Sequence, residues 1–284
     1  MNYLIRTLAA ALAQTISSYR RPSCVSIIAV ILILSTGCGA GGNETTTFVF
    51  EVGEFPHLVV GAGRGEVLVT TGPSGVITVL AEVSEKDNVV LDVSAESDVI
   101  TASSTTTFSG NMFGDSAVGN VDFTITVPPL TEIRVGTTNG SIAIEDTQRG
   151  GVISSSEGTI TLRRVSGEFS GGAGVGDIKI IDSEGSFQFT TGVGGVEFDG
   201  DFSAGSFNEF ETGVGDAVIS IPAGSGVTLD AKVTSGSITS DIDLTEELLQ
   251  TVGHGASLLG SHDGSDIKID IRVNTGSISI REDS

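Results

Sequence analysis

The chain has 284 residues, with 14 basic against 36 acidic side chains and a net charge of −22, no tryptophan, two tyrosines and two cysteines. So acidic a chain lacks the basic footprint that phosphate backbones and anionic lipid surfaces demand, and no nucleic acid partner is expected. Tyr3 and Tyr19 both fall in the first 37 residues. Beyond them phenylalanine is the only aromatic, which argues against sites that stack sugars or bases.

Residues 1–37 read as a signal peptide. Arg6, Arg20 and Arg21 supply positive charge, no acid precedes Glu44, and an uncharged run from Ser23 to Gly37 follows. That run is about 15 residues, whereas a membrane-spanning helix needs roughly 20, so a cleaved leader is favoured over a retained anchor. It ends in Leu34-Ser35-Thr36-Gly37-Cys38, small residues before a cysteine that resemble a lipobox, with leucine one place earlier than in the commonest form. Cys38 is therefore the expected lipid attachment site. Cys24 lies in the leader, which leaves Cys38 no disulfide partner. Residues 38–47, containing GAGGNETTT, read as a flexible tether. Removing the leader leaves 11 basic residues and a net charge of −25. The default meaning of such charge is a solvated, soluble surface.

From residue 48 to 284 the expectation is one all-β domain. Residues 48–127 form its less regular part, with FVFEV, HLVV, EVLVT, VITVLAEV, VVLDV and VDFTITV as strands. Ser103–Asn120, rich in Ser and Thr, reads as a long exposed loop, and Val127-Pro128-Pro129 as a corner. Residues 128–244 hold regular repeats: TTNGSIAI, SSEGTITL, AGVGDIKI and TGVGGVEF align on Gly140, Gly158, Gly176 and Gly194, each 18 residues from the next. A looser continuation carries Gly215, Gly236 and Gly276, and a second series is led by Gly151, Gly167, Gly185 and Gly205. After each turn apolar residues alternate, as in Ile142/Ile144, Ile160/Leu162, Ile178/Ile180 and Val196/Phe198, which marks strands with one buried face. Glycine at the turns implies positive φ. One such unit cannot bury its apolar face alone, so the units must stack as a β-solenoid, a β-helix-like pile with an 18-residue coil. Residues 245–265 break the pattern and read as an irregular loop with one short helical turn. Residues 266–284 return to strand and are expected to cap the stack.

The TxNGxI-type repeats, the Val127-Pro128 corner and the GHGASLLG segment before a last TGSISI strand together resemble the putative-adhesin family, also filed as domain of unknown function 4097. The resemblance covers roughly residues 48–284. It implies a β-solenoid-like cell-envelope protein and carries no catalytic residue onto this chain. Asn-Gly turns are replaced here at several places by Glu-Gly, Val-Gly or Ser-Gly.

Chemistry-bearing patterns are sparse. Ser261-His262-Asp263 sit side by side, but a triad needs groups converging from separate segments, so a polar turn is the better reading. His254, His262 and Asp263 match no compact zinc spacing, and the third histidine is His57. No metal site and no cofactor is assigned. Gly171–Asp177 approaches a calcium-binding nonapeptide, but with the aspartate displaced and Glu197 and Asp216 placed irregularly, calcium binding is at most weak. Asp182, Glu184, Asp199, Asp201, Glu209 and Glu211, beside Arg163-Arg164, would serve a carbohydrate-active β-helix enzyme, the rival reading. The reading preferred is a non-enzymatic, lipid-anchored envelope protein with a structural or adhesive role. Its expected contacts are the membrane, through the lipid, and another envelope protein or surface. An envelope sensor or assembly partner is the third reading.

Overall fold

The computed structural model describes residues 30–34, 43–109, 117–262 and 266–283, and they are all-β apart from one 3-10 turn at Lys86–Asn88. Cys38 lies outside the described residues. The first block holds β1 (Val30–Leu34), β2 (Glu44–Glu51), β3 (His57–Arg64), β4 (Val67–Thr71), β5 (Val76–Ser84), β6 (Val89–Glu96), β7 (Val99–Thr106), β8 (Phe108–Ser109), β9 (Ala117–Val118) and β10 (Asn120–Val127). The regular block holds β11 (Glu132–Asn139), β12 (Ile142–Glu145), β13 (Gly150–Glu157), β14 (Ile160–Arg163), β15 (Ser166–Val175), β16 (Ile178–Val193), β17 (Val196–Phe202), β18 (Phe207–Val214) and β19 (Ala217–Pro222). The last block holds β20 (Val227–Ser240), β21 (Thr245–Val252), β22 (Gly255–His262) and β23 (Ile267–Asp283).

Two parallel ladders organise the chain. The longer-stranded one runs β7–β3–β11–β13–β15–β16–β18–β23–β20. The shorter-stranded one runs β10–β4–β12–β14–β16–β17–β19–β23–β20. β16, β20 and β23 are long enough to serve both. Ile142, Ile144, Ile160, Leu162, Ile178, Ile180, Val196 and Phe198 are all buried, as their alternation requires. Rings from the two ladders meet in the core, with Phe198 5.4 Å from Phe187 and 5.6 Å from Phe210.

At the corner between the ladders the glycines stack backbone on backbone. A Cβ on Gly158 would overlap the carbonyl oxygen of Gly140, one on Gly176 that of Gly158, and one on Gly194 that of Gly176. Gly158 and Gly176 also have φ of 146° and 151°, a region that side chains disfavour. Gly140 lacks positive φ yet keeps the contact, since its Cβ would overlap Gly65 O. Buried hydroxyls seal the inside of the corner: Thr137 donates to Gly140 O at 2.9 Å and Thr191 to Gly176 O at 2.8 Å.

Several expectations are corrected. Residues 44–47 of the expected tether are strand: Glu44–Glu51 carries β-branched Thr45, Thr46 and Thr47, which pair with β5. Val30–Leu34, at the heart of the apolar leader run, pairs antiparallel with β2. The expected loop 103–120 is partly strand, in β7 to β9, while 110–116 lie outside the described residues. Of the expected irregular loop 245–265, residues 245–262 are regular: β21 and β22 form a hairpin whose two-residue turn starts with Gly253 at φ 65°, a position that favours glycine. Nor does β23 cap the stack. The hairpin pairs with one side of β20, and β23 fills the space between β20 and β18/β19. The glycines accordingly stack in the order Gly215, Gly276, Gly236.

Candidate functional site

A strand in a two-faced layer sends alternate residues outward, and parallel pairing sets those residues in rows. On the long-stranded ladder one outward row reads Gly61, Gly136, Ser154, Gly172 and Thr190, all small, before it meets Glu211 and Arg272. The adjoining row reads Arg134, Val152, Ser170, Gln188, Glu209 and Asp270. That strip of the face is therefore low, and larger polar side chains gather in two places beside it.

In the first, at the starts of β3, β11 and β13, Phe55, His57, Glu132 and Arg149 meet. Glu132 Oε2 lies 3.4 Å from His57 Nδ1 and 3.8 Å from Arg149 Nη2, and the Arg149 guanidinium sits 5.4 Å from the centre of the half-exposed Phe55 ring. Such a cation–π contact favours a guanidinium over an aromatic face. Arg149 Nη1 is buried without a hydrogen-bond partner among the described residues. Beside it opens a cleft of about 430 Å³, lined by Glu132, Glu168, Ser170, Ser186 and Gln188. Its floor is bare because Gly150, at φ 95°, abuts Glu168 O, and Gly151 abuts Ile133 O, where no Cβ fits.

In the second, Arg272 on β23 grips Asp230 on β20 through bonds of 2.9 and 3.1 Å, and Asp270 at 2.8 Å. The bond from Arg272 holds the Asp230 carboxyl below its ordinary value. Asp270 goes the other way despite its own bond to Arg272. Burial raises it, and Asp230, Glu209 and Glu211 add like charge. Burial outweighs one guanidinium here because Asp270 Oδ1 is buried and unpartnered. Leu259 lies opposite Asp230, Leu248 opposite Leu259 and Phe207 opposite Lys268, each about half exposed.

The residues singled out from the sequence scatter. Ser261 and His262 share β22, where His262 Nδ1 lies 2.8 Å from Asp243 O and Ser261 Oγ lies 3.2 Å from Thr245 Oγ1; Asp263 is outside the described residues. His57 stands on β3, on the far side of the ladder from His254 and His262. Asp177 and Asp216 cap the glycine corner: Gly195 N–H donates to Asp177 at 2.8 Å and Ser277 N–H to Asp216 at 2.7 Å. Glu197 pairs with Lys179 at 3.8 Å. Glu209 and Glu211 face outward on β18, whereas Glu184 aligns with Asp201, and Ile181 with Asp199, where the chain turns between ladders. No three His, Cys, Asp or Glu side chains converge as a metal site among the described residues. Arg149, Phe55, Arg272 and Asp230 escaped the sequence reading. The usable signal was positional: Glu132, Gly150, Glu168 and Ser186 follow one another at the repeat length and so share a row.

No family model and no curated protein matches the chain. Among solved structures, a putative cell adhesion protein from Clostridium sporogenes is 15% identical over 84% of this chain and 100% of that one, with a TM-score of 0.35. A putative adhesin from Bacteroides fragilis is 13% identical over 83% and 96%, with a TM-score of 0.43. A putative lipid binding protein from Parabacteroides distasonis is 12% identical over 84% and 97%, with a TM-score of 0.34. At these scores neither fold nor role is transferred.

Proposed function

We propose that the chain is an exported, lipid-anchored β-solenoid of the cell envelope, and that it binds an envelope or cell-surface partner without catalysis. The observation that carries this reading is the outer face of the long-stranded ladder. One of its outward rows is small from Gly61 to Thr190, running alongside the Arg149 cleft on the same strands and ending at the Arg272 cluster. A low surface bordered by two such arginine sites suits a macromolecular partner, since interface anchors are enriched in arginine and aromatic residues. The leader and the cysteine that follows it support export and acylation.

Two experiments test the reading. A fatty-acid analogue should label the protein, and Cys38→Ser should abolish the label and free the protein from membranes; retention of Cys38→Ser at wild-type level would place the anchor in the apolar leader instead. For binding, the protein is captured on isolated envelopes. Arg149→Ala combined with Arg272→Ala should weaken capture roughly tenfold or more if these are the anchors. Unchanged capture removes the outer face from consideration. Release of oligosaccharides from envelope polysaccharide, lost on Asp199→Asn or Asp201→Asn, would favour the enzyme.

A further inference from the structure

The two ends of the long-stranded ladder are finished differently. At one end β6 pairs with β7 alone, and it carries Asp92 and Glu96, both exposed, after a turn containing Glu85, Lys86 and Asp87. Charges on an edge strand are a common means of preventing edge-to-edge pairing. At the other end β21 pairs with β22 alone among the described residues. Its register breaks between Thr245 and Leu248, so Glu246 and Glu247 belong to a bulge. The regular stretch that follows, Leu248–Val252, has no charged residue, no proline and no lysine.

That stretch is apolar towards both faces. Leu249 lies opposite the buried Leu258 and so belongs to the inner side, yet it is 54% exposed; Leu248 and Leu259 are cross-strand neighbours on the outer side, 51% and 47% exposed. The core beneath β22 is closed by Ile242 and Leu244, so β21 projects beyond the closed end as an uncovered strand. Terminal units of a stacked fold are normally polar outside. Here the regular stretch of the terminal strand, Leu248–Val252, carries no charge, in a chain of net charge −22.

We propose that the β21 edge is the interface of a two-fold symmetric dimer formed by a second copy of this chain. Antiparallel pairing about Gln250 sets Leu248 opposite Val252 of the second copy, Leu249 opposite Thr251, and Gln250 opposite Gln250. No carboxylate then faces another across the axis, whereas two β6 edges brought together would bring in Asp92 and Glu96 from both copies. The symmetric pairing continues the ladder through both molecules and covers Leu249 on its inner side. An interface of this size belongs with weak, reversible associations.

Full-length protein carrying Cys24→Ser and Cys38→Ser is purified in mild detergent, and a single thiol is returned by Gln250→Cys. Residues directly opposed in an antiparallel pair have Cα atoms about 4.5–5.5 Å apart, within disulfide reach. Under mild oxidation Gln250→Cys should form a linked dimer roughly tenfold or more faster than Asp92→Cys in the same background, because opposed thiols meet at high effective concentration. Adding Leu249→Lys, at a half-exposed position that tolerates it, should abolish the difference while leaving the melting curve in place. Equal rates for the two cysteines, whether the protein is monomeric or its β21 edge takes up some other strand, overturn the proposal. So does a fast Gln250→Cys cross-link that Leu249→Lys leaves unchanged.

Discussion

The chain turns between its two ladders at two kinds of corner, and they are built on different principles. At the first, glycine follows glycine, and each carbonyl lies where the next residue's Cβ would be. At the second, Asp146, Arg164 and Asp182 occupy the left-handed region with φ of 62°, 50° and 51°, and none is glycine. Side chains are admitted there although the passages are hydrogen-bonded to one another, and they are exposed and pair: Arg164 bonds Asp146 at 2.7 and 3.1 Å and Glu145 at 3.3 Å. A φ near 50–60° therefore does not demand glycine in this fold, whereas the φ near 150° at Gly158 and Gly176 does. So does contact.

The largest expected effect tests that statement directly. Gly176→Val combines unfavourable φ with overlap on Gly158 O, and it should destabilise by about 3–5 kcal/mol or prevent folding. Ile178→Asp, two residues on, buries an unpaired carboxylate and should cost about as much, roughly 3–5 kcal/mol. Urea unfolding measures both. A melt unchanged by Ile178→Asp would mean that the buried face has been assigned to the wrong side. At the second corner, Asp182→Gly exchanges left-handed strain for the greater freedom of unfolded glycine, so the net change should stay within about 1 kcal/mol. If Asp182→Gly and Gly176→Val prove equally damaging, the distinction between the corners fails.

The same contrast explains what was legible in the sequence. The glycine corner was readable because contact leaves one residue type, so Gly140, Gly158, Gly176 and Gly194 recur at a fixed spacing. The opposite corner was not, because its requirement is conformational and Asp and Arg satisfy it alike. Alternation located the buried faces of β12, β14, β16 and β17 for the same reason: burial tolerates few residue types. It could not reveal that β23 enters between β19 and β20, since parallel neighbours of equal pattern can exchange places without altering any residue. The hairpin was misread because TEELLQTV lacks alternation, and it lacks alternation because both faces of β21 are exposed. The Arg149 cleft draws on several passages of the chain, so no local motif announces it.

Calcium gives a smaller effect. Asp177 and Asp216 already spend one oxygen each on backbone N–H groups of the neighbouring passage. Millimolar calcium should therefore raise the melting temperature only slightly, since stabilisation follows RT ln(1 + [L]/Kd) with Kd near or above that concentration. A rise of about 10 °C or more in a calcium-versus-chelator melt, lost in Asp177→Asn, would make the glycine corner a metal site as well as a packing contact.

The smallest effect belongs to Asp146 and Arg164. The hydrogen bond from Arg164 holds the Asp146 carboxyl below its ordinary value of 3.8, and both groups are open to solvent. A carboxyl whose value is lowered by folding contributes its stability above the unfolded value, and that contribution disappears as the pH falls through the lowered one. The window therefore lies at and below pH 3.8. Carboxyl NMR on the wild type should show Asp146 titrating below the ordinary aspartate range, and Arg164→Gln should return it to that range. Added salt should shrink the difference, because an exposed pair is screened over the Debye length. Stability at neutral pH should hardly change in Arg164→Gln, since the left-handed backbone at both residues is kept by the ladder bonds from Asp146 N–H to Arg163 O and from Arg164 N–H to Ile181 O. If Arg164→Gln unfolds the protein at neutral pH, the charge pair shapes this corner as firmly as the carbonyl contacts shape the other.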